Sequence, residues 1–435
     1  LPNGSPDEAA RRPALPSRRT VLRGIAAGGL LSLATPAVLA QAQARVVVVG
    51  GGFAGASCAR ALQQEGSVLT VTLVEPQIIY AACPFSNAVI AGLREMSAQQ
   101  FTYAGLSQEG IELVPRAVAA VDGGARRLRL DDGAELAYDR LVLAPGIDLD
   151  FGALPGYDRA AAEIAPHAWK AGPQTLLLRR QLEAMPDGGL VVLSAPANPF
   201  RCPPGPYERA SLIAHYLKAR KPRSKLIILD AKDAFSKQKL FEAAWRTLYP
   251  GLIEWVALSS GGRVMEVDAA TKTLVTEFGS HRADVANVIP PQRAGAIAVA
   301  AGVADKTGWC PIDPVTFESR LQPGIHVIGD AAIAGAMPKS AFAANAQAKA
   351  CAAAVANLLR ERTPEEPKLV NTCYSLAAPD YGISIAGVYR PKDGLLAEVE
   401  GAGGTSRLDV APAIRALEAA NAESWFRTIT AEAFG

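Results

Sequence analysis

The sequence predicts an α/β chain of two Rossmann-like dinucleotide-binding domains, the first split in sequence, followed by a small α+β C-terminal domain. Three observations carry this expectation. The apolar run Val46-Val47-Val48-Val49 suits a strand buried on both faces, and it leads through Gly50-Gly51-Gly52-Phe53-Ala54-Gly55 into an alanine-rich stretch, 56–64. A second strand–helix–strand pattern occupies 190–193, 207–218 and 226–229. A later strand, 325–328, ends in Gly329-Asp330 and returns the chain to the first domain. The expected domains are thus 45–150 with 296–365, then 151–295, then 366–435, behind a leader of 1–44.

Each part of the first unit has a physical task. Gly50 lets the chain turn, Gly52 lets backbone N–H groups approach a pyrophosphate, and Gly55 lets the helix lie close to the sheet. The helix N-terminus favours phosphate charge. The next strand, 69–74, delivers Glu75, whose carboxylate can accept a ribose 2′-OH.

The leader is set apart by composition. Ser17-Arg18-Arg19-Thr20-Val21-Leu22-Arg23 resembles a twin-arginine export signal, with a mildly apolar stretch to Ala40 and a small-residue cleavage pattern, Ala40-Gln41-Ala42. The apolar stretch falls short of the roughly 20 residues of a membrane span. Export to the periplasm and cleavage are expected, leaving no integral membrane segment. Through Ala44 the leader carries five arginines against two acids, so without it the formal charge of +2 falls to −1. Such near-neutrality argues against nucleic acid or anionic lipid as a partner. The six cysteines show no C-x-x-C spacing and no C-x-x-C-H, and the histidines are scattered (His167, His215, His281, His326), so neither a metal site nor attached haem is expected.

Further along, Cys83 lies in the stretch 79–87, which reads as a loop, beside Pro84, where a structural cysteine has little reason to be. Short strands are expected at 111–114 and in the hairpin 127–130/135–138, and a buried strand at 141–143 ends in Ala144-Pro145-Gly146. In the second unit the turn after Leu193 holds Pro196, Pro199, Pro203 and Pro204, and its only glycine is Gly205. Proline offers no N–H to a phosphate, so this unit reads as lacking a nicotinamide site. A long helix over 340–360 is expected, capped by Ser340.

The order of glycine loop, acid, Ala-Pro-Gly turn, second unit and Gly-Asp strand resembles the two-dinucleotide-domain flavoproteins. Within them, Tyr80-x-x-Cys83-x-x-Ser86-Asn87, the stretch from Pro199 to Glu208 and Asn371-Thr372-Cys373-Tyr374-Ser375 are similar to the flavoprotein subunit of flavocytochrome c sulfide dehydrogenase. Pro84 departs from the aromatic residue of some members. The resemblance implies FAD in the first domain, attached through its 8α-methyl to Cys83, and a redox disulfide, Cys202–Cys373, beside the flavin. It implies oxidation of sulfide to sulfur or polysulfide, with electrons leaving to a c-type cytochrome subunit that carries the haem. Glu208 is matched to a proton-shuttling carboxylate, and Asp330 to the residue that holds the ribityl or pyrophosphate. Ala144 and Gly146 should approach the flavin through backbone and Ala117 should meet the adenine, while Lys339 adds charge near the reduced ring.

Residue chemistry agrees. Cys202 precedes a helix N-terminus, which should lower its pKa, and hydrosulfide is a nucleophile able to attack a disulfide. Cys58, Cys351 and Cys310 are read as structural. Alternatives are a sulfide:quinone reductase-like enzyme, which should carry an apolar pair of C-terminal helices, and a flavin-binding assembly partner without turnover. A nicotinamide-dependent persulfide reductase would need glycines after Leu193.

Overall fold

The structure, a computed structural model, describes residues 43–66 and 69–435; the expected export signal lies outside the described residues. The first strand, Ala44–Val49, sits mid-sheet, and Val46 to Val49 are buried. Around it a five-stranded parallel sheet runs in the order Ile325–Val327, Arg140–Leu143, Ala44–Val49, Leu69–Val74, Glu112–Val114. The late strand Ile325–Val327 thus completes a sheet begun nearly three hundred residues earlier, as a split domain requires.

Helix Phe53–Gln64 starts three residues before the expected boundary because the glycine turn is tight. A Cβ on Gly55 would lie 1.7 Å from the Gly50 carbonyl oxygen, so only glycine permits this helix–strand approach. Helix Ala341–Leu359 packs across it. Its small side chains, among them Ala344, Ala348, Cys351 and Ala352, let the two backbones come close. Ser340 caps it as expected, Oγ accepting from Ala343 N at 3.1 Å.

A second parallel sheet follows the order Ile253–Val256, Lys225–Asp230, Leu190–Ala195, Val285–Val288, with helix Gly205–Arg220 between its strands. Small antiparallel sheets attach to each unit, one holding the hairpin strands Arg127–Leu130 and Glu135–Ala137.

The C-terminal part is a long hairpin, Leu369–Ala378 with Tyr381–Lys392, backed by helix Pro412–Phe434. Sequence reading left that last helix unassigned, although Arg415, Ala419, Ala422, Phe426, Ile429 and Ala433 recur at three- and four-residue steps and are all buried. Phe434 packs against Tyr80, Phe101 and Phe53 with ring centroids 5.0, 5.2 and 5.5 Å away, which ties the chain's last turn to the first domain. Among the described residues no helix is long and apolar enough to cross a membrane.

Candidate active site

Between the first sheet, the loop 196–204 and the C-terminal hairpin lies a cavity of about 690 Å³. The glycine loop forms one end, with Gly51 N donating to Glu75 Oε2 at 2.7 Å and Gln77 N to Oε1 at 2.9 Å. Gly50, Gly52, Glu75, Ala144 and Gly146 all line it, as expected. Gly55 does not; its task is the helix–strand contact. Ala117 is absent from the lining, its carbonyl accepting from Asp131 N on the outer hairpin. Lys339 is also absent. Its ammonium is turned onto the carbonyls of Asp330 and Ala332, at 2.7 and 2.8 Å, and lies 4.0 Å from the Trp309 ring centroid. Burial lowers its pKa to about 8.

Three cysteines also line the cavity. Cys83 sits between strand Ile79–Ala81 and helix Ser86–Ile90, its thiol directed to Trp169 O at 3.7 Å. The half-buried Arg201 donates to the same carbonyl. Cys202 adopts a left-handed φ of 57°, and its N–H donates to Lys339 O at 2.8 Å, which ties the proline-rich loop to the segment before helix Ala341–Leu359. Cys373 enters from the hairpin, its sulfur accepting from Asn371 Nδ2 at 3.4 Å.

Cys202, Cys373 and Glu208 therefore meet at one cavity. All six cysteines are thiols in the structure, Cys202 and Cys373 included, so the expected bridge is not formed in it. The thiol acidity runs opposite to expectation. Burial pushes the Cys202 thiol well above its ordinary value, with Glu208 and Cys373 adding to the rise, and together these outweigh the helix N-terminus.

Glu208, in the first turn of helix Gly205–Arg220, accepts from Asn87 Nδ2 at 2.8 Å and Leu376 N at 2.9 Å. Burial raises its carboxyl pKa while those donors and the nearby Lys237 and Arg209 pull it back. Sequence reading missed the support behind it. Arg209 donates Nε to Asn87 Oδ1 at 3.0 Å, which fixes the Asn87 amide so that its NH₂ faces Glu208. The rest of the Arg209 fork goes to Asn287 Oδ1 and the carbonyls of His167 and Ala168. Arg209 lies four residues along a helix from Gly205, a position that pattern alone gives no reason to single out.

The residues present fit a flavin dinucleotide. Asp330 Oδ1, Trp169 Nε1 and Trp425 Nε1 are buried without a protein partner among the described residues, and all three residues line the cavity. Buried polar atoms of this kind call for hydrogen bonds from a ligand. The Asp330 oxygen is an acceptor that a ribityl hydroxyl would satisfy, and the N–H groups of the glycine loop would suit a pyrophosphate.

The fold is similar to that of the sulfide:quinone oxidoreductase from Aquifex aeolicus (18% identity, TM-score 0.72, covering 90% of this chain and 92% of that one). It is also similar to putidaredoxin reductase in its covalent complex with putidaredoxin (18% identity, TM-score 0.64, covering 90% and 94%). Residues 44–172 match the family model of pyridine nucleotide-disulphide oxidoreductases. Fold and cavity together define a two-dinucleotide-domain flavoprotein oxidoreductase. Residues 175–290 match the central region of the sulfide dehydrogenase (flavocytochrome c) flavoprotein chain, and residues 365–434 match the flavin-binding region of flavocytochrome c sulphide dehydrogenase. The chain is 60% identical over 45 residues to the sulfide dehydrogenase (flavocytochrome c) flavoprotein chain of Chlorobaculum thiosulfatiphilum, covering 10% of this chain and 94% of that sequence. It belongs to that flavoprotein family. The mitochondrial sulfide:quinone oxidoreductase of Mus musculus is 24% identical over 308 residues, which span 66% of this chain and 65% of the mouse protein.

Proposed function

We propose that the chain oxidises hydrosulfide to sulfur or polysulfide through a Cys202–Cys373 redox disulfide and FAD, and passes the electrons to a c-type cytochrome subunit. The observation that carries this is the meeting of two cysteines and a carboxyl group, from separate parts of the fold, at the cavity that the glycine loop also lines. FAD, when bound, supplies the two-electron acceptor that reoxidises the cysteine pair and a covalent handle for Cys83. The protein's own work is thiol chemistry and proton handling. Hydrosulfide attacks one sulfur of the oxidised pair, breaking the S–S bond, so that one cysteine becomes a persulfide and the other leaves as a thiolate. A second hydrosulfide then takes the outer persulfide sulfur as HSS⁻, leaving that cysteine as a thiol and the pair ready to give two electrons to the flavin. Cys202 is held strongly protonated when reduced, so its thiolate needs a nearby acid on release. Glu208, with its raised carboxyl pKa, gives that proton and recovers it when the pair is reoxidised.

The second sheet supports a non-nicotinamide acceptor. Asp230, at the strand end where an acid would meet a ribose, already accepts from Tyr207 Oη at 2.6 Å, Trp255 Nε1 at 2.9 Å and Lys232 Nζ at 2.6 Å. Phe200 from the proline-rich loop lies under Lys232, its ring centroid 4.9 Å from the ammonium. In this reading, twin-arginine export carries the folded flavoprotein to the periplasm.

The test is anaerobic mixing of the flavoprotein with sulfide. Flavin bleaching, followed by reoxidation with a c-type cytochrome, supports the proposal. Absence of bleaching contradicts it, and faster reoxidation by a water-soluble quinone than by cytochrome turns the reading to a quinone reductase.

A further inference from the structure

Cys58 and Cys351 do not line the flavin cavity and take no part in the chemistry proposed for Cys202 and Cys373. Cys58 sits on helix Phe53–Gln64 and Cys351 on helix Ala341–Leu359, and both are fully buried in the layer where these helices pack together. Three side-chain contacts follow one another along the helix pair. Asn345 Nδ2 donates to Ser57 Oγ at 2.9 Å, the Cys351 thiol donates to the Cys58 sulfur, and Arg360 donates to Glu65 Oε2 at 2.8 Å. The helices therefore run in the same direction, with the two thiols side by side between the outer contacts. Burial, together with the hydrogen bond and charge of Cys58, pushes the Cys351 thiol well above its ordinary pKa, so it stays protonated in the folded chain.

Two thiols nearly three hundred residues apart in sequence thus meet in the core. Packing alone does not demand this, since alanine at either place would let the helices approach as Ala348 and Ala352 do. A disulfide needs Cα atoms roughly 4.4–6.8 Å apart, and helices packed through small side chains are a setting that allows it. Both helices also begin at the flavin cavity. Phe53 and Ala54 of the first and Ala341 and Ala344 of the second line it.

We propose that Cys58 and Cys351 form a second disulfide, a staple that joins the early and late segments of the split domain behind the cavity wall. It closes by exchange with an oxidising disulfide. One cysteine, as its thiolate, attacks that oxidant to give a mixed disulfide, and the other displaces the oxidant's remaining sulfur. The Cys58–Cys351 bond forms, the oxidant is reduced to two thiols, and these take up the two protons that the cysteines lose. Because the pair is buried, closure belongs to folding or to a local opening, and hydrosulfide does not reach the finished bridge. A bridge across so long a loop restricts the unfolded chain. None of this depends on the sulfide-oxidising reading.

The test uses the flavin-loaded full chain, first reduced and then incubated with oxidised glutathione in sub-denaturing urea. Non-reducing digestion and mass spectrometry should find a peptide pair joining Cys58 to Cys351, about 2 Da lighter than the two thiol peptides together. The pair should persist when sulfide is added to the native protein. In Cys202→Ser, where the other pair cannot close, oxidation should raise the thermal midpoint by about 5 °C. Adding Cys58→Ala and Cys351→Ala to that variant should abolish the shift. Recovery of Cys58 and Cys351 as free thiols or as separate glutathione adducts overturns the proposal. So does a bridged protein with no gain in midpoint, or a shift that survives in the double-alanine variant.

Discussion

Glu208 and His167 show how burial sets the chemistry of single residues here. Glu208 is held between Asn87 and Leu376 with its carboxyl pKa raised, so Glu208→Gln keeps the shape and one of the two accepting oxygens but removes the proton site. Turnover should fall about 100-fold, the usual scale of losing one acid–base group, while flavin content measured by absorbance is unchanged. His167 is buried with Nδ1 accepting from Trp169 N at 2.9 Å, and burial, with Arg209 close by, lowers its pKa to about 3. Between about pH 6.5 and that value the unfolded chain binds the proton and the folded chain does not, so stability rises with pH through this window. The contribution is complete above about pH 6.5 and is lost as the pH falls toward 3, by no more than about 5 kcal/mol. His167→Asn, which preserves an acceptor, should flatten the pH dependence of urea midpoints below pH 6.5; an unchanged slope assigns the acid sensitivity elsewhere. Cys83→Ala should leave FAD extractable by acid precipitation, whereas the parent keeps its colour in the pellet; release of free FAD from the parent contradicts covalent attachment. At this scale the sequence was legible where chemistry is local. The Gly50, Gly52 and Glu75 positions follow from turn geometry and spacing, but the rise in the Cys202 pKa comes from burial by distant segments that no local pattern reveals.

At the level of elements, two contacts hold the cavity's walls together. Gly55→Ala would drive a methyl group into the Gly50 carbonyl and lift helix Phe53–Gln64 from the sheet. A loss of at least about 2–3 kcal/mol is expected in chemical denaturation, with weaker flavin retention. Phe434, 5% exposed among Tyr80, Phe101 and Phe53, anchors the C-terminal helix beside the strand that leads to Cys83. Phe434→Ala should cost about 3–5 kcal/mol, read as a lowered thermal midpoint; a change within 1 kcal/mol would mean that the helix is held by its other contacts alone. The buried strands were legible because unbroken valine and leucine runs have few alternatives. Helix Pro412–Phe434 was not, because Arg415 lies on its buried face, where it bonds Glu418 and the carbonyls of Arg407 and Leu408, and charges between apolar residues blur the stripe.

In the whole molecule, two parallel sheets of similar design carry different fates. The first keeps a glycine loop on the cavity and, beside it, Asp330 with an Oδ1 that has no partner among the described residues. The second has closed its corresponding acid, Asp230, beneath Tyr207, Trp255 and Lys232. The three-way hold on Asp230 needed the structure. The proline-rich loop of this second unit supplies Cys202 to the cavity. The cysteine pair is the centre of the account, and replacing each member with serine in turn tests it most directly. Cys202→Ser and Cys373→Ser should each retain FAD by absorbance yet reduce c-type cytochrome with sulfide at less than about one-hundredth of the parent rate. Either variant turning over near the parent rate with its flavin in place would contradict the disulfide mechanism.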